Sequence, residues 1–143
     1  MRNVNRSALV PFSAVEMFVI VDNVEEYPEF LPWCNSVEVH HRETDIVEAT
    51  LELHRGSFSK HFRTRNTSVY GEKMDISLVD GPFRVLDGGW TFTQLSDAGC
   101  KVALELDFEF SSRAIDVVLG SFFEVTCNSL VAAFVRRAHH IHG

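Results

Sequence analysis

The residues able to do polar chemistry in this 143-residue chain are few, and the densest group is basic. Arg55, Lys60, His61, Arg63 and Arg65 lie close together on what read as two adjacent strands, with Arg63 and Arg65 on the same strand face as His61. A patch of Arg55, Lys60, Arg63 and Arg65 suits either of two arrangements. It contacts phosphate, on RNA or on an anionic lipid headgroup, or it forms ion pairs with Glu48 and Glu52 across the neighbouring strand. The net charge of -7 argues against broad nucleic-acid binding and leaves room for a local patch. His139, His140 and His142 read either as an adventitious metal-binding run or as a frayed terminus. Cys34, Cys100 and Cys127 are odd in number and form no CxxC pair, so neither a disulfide framework nor a zinc site is expected. No HExxH, GxSxG, P-loop or GxGxxG occurs. Inward strand positions carry almost no carboxylates, and acid–base chemistry needs an ionisable pair in the pocket. No catalytic residue, metal or cofactor is therefore expected.

The other available chemistry is apolar binding. The chain holds 12 Phe against 2 Tyr and 2 Trp, and Phe carries no polar handle. In YPEFLPWC, Pro28 and Pro32 stiffen the backbone, so Tyr27, Phe30, Leu31 and Trp33 form a rigid apolar lip. The lip either gates a cavity or meets a membrane surface, or it packs a short helix onto a sheet edge. In DGPFRVLDGGW, Phe83, Val85 and Trp90 supply either a ring-lined pocket wall or core packing, with the Gly88–Gly89 pair marking a bulge or a close backbone approach. Arg84 is placed to meet a carboxylate, a polar head group or solvent.

These residues need elements to position them. Arg2 to Val10 reads as a strand. Ser13 and Glu16 form a capping box for a helix from Ala14 to Val21 that would bury Val15, Phe18 and Val19. A short helical turn follows from Val24 to Phe30. From Asn35 to Phe110 the chain alternates apolar and polar residues between short turns, as in an antiparallel meander. Alternation is cleanest from Cys100 to Phe110. From Arg113 to Ala138 apolar residues recur at helical spacing, predicting one helix of about 25 residues and about 37 Å, with no Pro and only Gly120 as a weak former. A second stripe on it, Val117, Val125, Val131, Ala132 and Val135, points away from the sheet. It tucks under loops, or it meets a second copy or a membrane.

The runs YPEFLPWC, DGPFRVLDGGWTF and FEFSSRAIDVVLGSFFEVTCNSLVAAFVRRA, in this order, resemble the RatA and coenzyme Q-binding family of the START-like, polyketide cyclase-like superfamily. The resemblance covers nearly the whole chain. It implies an α+β helix-grip fold, a curved antiparallel sheet of six or seven strands around a long C-terminal helix. It also implies two functions: carriage of a lipid quinone in support of respiration, or binding of the large ribosomal subunit as a toxin that blocks subunit association.

The chain is thus expected to be one START-like domain spanning residues 1–143 that binds a lipid-like small molecule, ubiquinone or another polyprenylated quinone, without catalysis. Tyr27, Phe30, Leu31, Trp33, Phe83, Val85, Trp90, Phe108, Phe110, Phe122 and Phe134 are the expected ligand contacts. Ribosome binding is the alternative, and a cyclase-like enzyme the third reading. The N-terminus lacks the apolar core of a signal peptide. Asp116 and Glu124 interrupt the one stretch near spanning length. A cytoplasmic protein is expected, at most peripheral to the inner membrane.

Overall fold

The computed structural model describes all 143 residues. Seven antiparallel strands form one curved sheet in the order β1-β7-β6-β5-β4-β3-β2. They are β1 (Arg2–Val10), β2 (Cys34–Arg42), β3 (Ile46–Arg55), β4 (Phe58–Val69), β5 (Lys73–Asp80), β6 (Phe83–Ser96) and β7 (Gly99–Phe110). From β2 to β7 each strand pairs with the next through a tight turn, which fits the alternating pattern. β1 returns to the far side and pairs with β7 along its whole length, Val4 opposite Leu106 and Val10 opposite Cys100. On β7, Cys100, Val102, Leu104, Leu106, Phe108 and Phe110 are all buried while Lys101, Glu105 and their neighbours face out, so one sheet face is core and the other wet.

Helix α1 (Ala14–Asp22) begins at the expected capping box: Ser13 Oγ accepts from Glu16 N–H, and Glu16 accepts from Ser13 N–H. Its phase differs from expectation. Ala14, Met17, Phe18, Ile20 and Val21 are buried, whereas Val15 and Val19 are exposed. The helix packs on two sides, against the C-terminal helix and against β6 and β7, so its core face is wider than a single stripe. A 3-10 turn, Val24–Glu26, leads into α2 (Tyr27–Phe30).

The closing helix is not one rod. It runs as α3 (Arg113–Ile115), a π-turn (Asp116–Gly120), α4 (Ser121–Asn128) and α5 (Leu130–His142), with a 47° bend between the α3–α4 part and α5. Two local devices account for this. Asn128 Nδ2 donates to Glu124 O (3.0 Å) and Ser129 Oγ donates to Thr126 O (2.7 Å), so side chains compete for the carbonyl ladder at the bend. At the π-turn, Arg2 reaches from β1 to Asp116 and Glu124. A Cβ on Gly120 would lie 2.5 Å from Asp116 Oδ1 and 2.6 Å from Arg2 Nη2, so a larger residue there would require this ion pair to shift. No single helix is long and apolar enough to cross a membrane. The expected second stripe also splits: Val117 and Val125 are exposed, but Val131 is buried. The three terminal histidines belong to α5, and Phe12 packs against the rings of His139 and His142.

A candidate ligand cavity and its outer groove

Alternation on β3 to β7 sends one set of side chains under the closing helices. Between sheet and helices they enclose a cavity of about 80 Å³ lined by 17 residues, 15 of them hydrophobic. The sheet contributes Leu51, Phe62, Met74, Leu86, Trp90 and Leu106, among others; α4 and α5 contribute Phe123, Cys127, Leu130 and Phe134; Val24, Tyr27 and Trp33 close one side. Phe134 organises the wall, meeting Tyr27 (5.3 Å), Phe30 (5.3 Å) and Trp90 (5.2 Å) edge to face between ring centroids. Both tryptophans of the chain line the cavity.

Four of the sequence-predicted contacts, Tyr27, Trp33, Trp90 and Phe134, line this cavity. Phe83, Phe108 and Phe110 do not. They pack with Phe62 and Phe123 into a ring cluster, Phe83 stacked on Phe110 at 4.6 Å and Phe108 edge-on to Phe123 at 4.9 Å. This cluster is core, because the rings saturate one another. Val85 is turned off the wall by a register shift between Phe83 and Val85, which puts Leu86 on the inner face in its place. The expected feature at Gly88 is a close approach: a Cβ there would lie 2.1 Å from Glu105 O. Phe30, Leu31 and Phe122 line a different space, an outer groove of about 350 Å³.

That groove lies between the lip, the β3–β4 hairpin tip and the closing helices. Trp33 is a wall of both spaces. His54 Nε2 meets Pro32 O at 2.9 Å, holding the lip to the hairpin. The Arg55 guanidinium lies over the Phe122 ring at 5.4 Å and donates to Val118 O. Arg136 and Ser129 complete the far side.

Polar groups inside the cavity were not anticipated. Thr64 and Asn66 face inward on β4; their positions alternate with Arg63 and Arg65, which was the signal available. Trp33 Nε1 and Asn66 Oδ1 are buried without a hydrogen-bond partner, while the Tyr27 hydroxyl donates to Val21 O. No carboxylate, histidine, lysine or arginine lines the cavity. Burial pushes the Tyr27 hydroxyl and the Cys127 thiol well above their ordinary values, and the Cys34 thiol up to about 12, so none supplies a base or a thiolate at neutral pH.

The expected basic patch divides. Arg63 and Arg65 both close on Glu48, whose carboxyl their hydrogen bonds hold below the usual carboxylate range. On the outer sheet face the two share this one carboxylate, and the ion-pairing arrangement holds there. Arg55 and Lys60 remain at the hairpin tip with no carboxylate within 4.0 Å, Lys60 lying over the Phe58 ring.

Residues 10–135 match the model of the family described as polyketide cyclase / dehydrase and lipid transport. The chain is 45% identical over 143 residues to the ribosome association toxin RatA of Vibrio cholerae, covering 100% of this chain and 99% of that one. It is 24% identical over 132 residues to the mitochondrial coenzyme Q-binding protein COQ10 of Dictyostelium discoideum, covering 90% of this chain and 64% of the other. Among solved structures, the Zhui aromatase/cyclase from Streptomyces sp. R1128 superposes with a TM-score of 0.83 at 15% identity, covering 96% of this chain and 93% of that one, a likeness of fold.

Proposed function

We propose a binding function, not a catalytic one, for this chain, which belongs to the polyketide cyclase / dehydrase and lipid transport family on its RatA and coenzyme Q-binding branch. It holds a hydrophobic small molecule between the sheet and the closing helices. The observation that carries this reading is the cavity wall, 15 of 17 residues hydrophobic and none a carboxylate, histidine or lysine. Such a wall favours burial of CH₂ groups at roughly 0.8 kcal/mol each and offers no acid–base pair for cyclisation or dehydration. At about 80 Å³ the cavity is smaller than the roughly 300 Å³ at which ligand pockets begin. It takes the end of a chain, and the rest of the ligand lies in the outer groove past Trp33.

The coenzyme Q-binding relative makes a polyprenylated quinone the first ligand to try. Titration calorimetry with a decyl-tailed ubiquinone analogue is expected to give saturable binding with a negative heat-capacity change, as apolar burial requires. Absence of saturable heat at all temperatures would rule the quinone out.

A second reading concerns the partner, and the full-length 45% identity to a protein named for ribosome association favours it. The chain then associates with ribosomes in the cytoplasm through its surface, as a regulator of subunit joining. Overexpression followed by sucrose-gradient profiling tests it: free subunits are expected to accumulate at the expense of joined particles, and an unchanged profile would contradict it. Lys60→Glu, at the hairpin tip with no acidic partner, is expected to weaken the effect more than Arg65→Glu, whose guanidinium is already paired with Glu48.

A further inference from the structure

The outer groove is electrostatically unlike its surroundings. The chain carries 20 Asp and Glu against 13 Lys and Arg, yet the residues lining this groove include Arg55, Arg136 and His54 and no carboxylate. The other sizeable grooves mix both signs: Arg84 and Arg113 with Glu109 and Asp116, Lys73 with Glu72, and Arg137 with Glu26. Neighbouring arginines are closed on acids, Arg137 on Glu26 and Glu29 and Arg42 on Asp22 and Glu25. Arg55 and Arg136 have no carboxylate within 4.0 Å. Arg55 is nonetheless held in place, stacked on Phe122 and bonded to Val118 O, so its remaining N–H groups are preorganised.

The groove adjoins the apolar cavity through one side chain. Trp33 is nine-tenths buried and lines both spaces, and its Nε1–H is buried with no acceptor. A buried donor without an acceptor costs free energy, and a ligand oxygen at this point would remove that cost. From inside outward, the site therefore offers apolar rings with Thr64 and Asn66 among them, one unused donor at the boundary, and then two arginines.

We propose that this site takes an amphiphile with an apolar chain and a single anionic head, the chain end passing Trp33 into the cavity and the carboxylate or phosphate seated between Arg55 and Arg136. This rests on the hydrophobic-ligand reading above and narrows it, since a neutral quinone offers the two arginines carbonyl acceptors but no charge to balance theirs. A planar guanidinium pairs with either anion through charge-assisted hydrogen bonds, so the geometry names the charge and leaves the head's identity to the experiment.

The two tryptophans give the readout. Intrinsic fluorescence of the full chain is titrated with decanoate, decyl phosphate, decanol and the decyl-tailed quinone, each below its micelle concentration, at constant ionic strength. The expected result is that decanoate, decyl phosphate or both bind at least about tenfold more tightly than decanol, and that Arg136→Gln removes this preference. Arg136 is exposed and makes no side-chain hydrogen bond or salt bridge, so its removal spares the fold; Arg55→Gln is the second variant, with circular dichroism as the check on folding. The relative affinities of the two anions name the head. Equal binding of decanoate, decyl phosphate and decanol, or a preference that survives both substitutions, would overturn the proposal. Binding of the quinone with no response to any anion would overturn it and leave the hydrophobic-ligand reading standing. No binding by any of the four probes would sink both.

Discussion

At the scale of single residues, Phe134 and Glu48 carry opposite kinds of stabilisation. Phe134 is 1% exposed and meets Tyr27, Phe30 and Trp90. Phe134→Ala is expected to cost about 3–5 kcal/mol in urea denaturation, the usual cost of truncating a buried ring. Glu48 is held by Arg63 and Arg65, so its folded-state pKa lies below its unfolded value of 4.5; Glu16 and Glu52 are shifted the same way by their hydrogen bonds. A depressed carboxylate stabilises the fold above the unfolded value and loses that contribution as pH falls through the folded one. The melting temperature is therefore expected to hold between pH 7 and about pH 5 and to fall below it, with a shallower acid fall in Glu48→Gln. An identical acid limb in that variant would contradict the assignment. These residues also mark where sequence reading stopped. The pairing of Arg63 and Arg65 with Glu48 was one of two arrangements their spacing allowed. Whether Phe83, Phe108 and Phe110 line a cavity or fill one another's space depends on ring-to-ring geometry that no spacing reports.

At the scale of elements, most boundaries were legible because each has a local cause. The alternation of Cys100 to Phe110 gives β7, and Ser13 with Glu16 gives the start of α1. Ser13→Ala is expected to destabilise the chain by about 1 kcal/mol, the ordinary cost of losing an N-cap, measured as a shift in denaturation midpoint at unchanged slope. What was not legible required a partner. The α1 face is set by two neighbours, so Met17 and Ile20 are buried and Val15 and Val19 are not. The expected single closing helix is bent at Ser129, where Asn128 and Ser129 turn their side chains onto the carbonyls of Glu124 and Thr126, and its π-turn is met by Arg2 from a strand more than a hundred residues away. The bend matters to the site. Ser129 stands at the groove while Phe123 and Phe134 lie on either side of it in the cavity wall.

At the scale of the whole molecule, the interior and the surface point to different partners, and the two are compatible. The interior is an apolar cavity without a carboxylate, histidine, lysine or arginine in its wall, and it shares Trp33 with a groove without carboxylates. The surface is acidic overall, and the hairpin tip and the groove carry Arg55, Lys60 and Arg136 without an acidic partner. The fold and the order of its elements were readable because a one-sided sheet must be covered and only the C-terminal helix is long enough to cover it. The size of the cavity was not, since it is what remains after the Phe cluster has packed. The central claim, that this interior holds an apolar ligand, is tested most directly by native mass spectrometry of the purified chain, as isolated and after incubation with the decyl-tailed quinone and with decanoate. The expected spectrum contains a species heavier than the bare chain by one bound molecule, reduced when Trp33→Ala and Phe134→Ala disturb the cavity wall. Bare chain alone under every condition would contradict the claim.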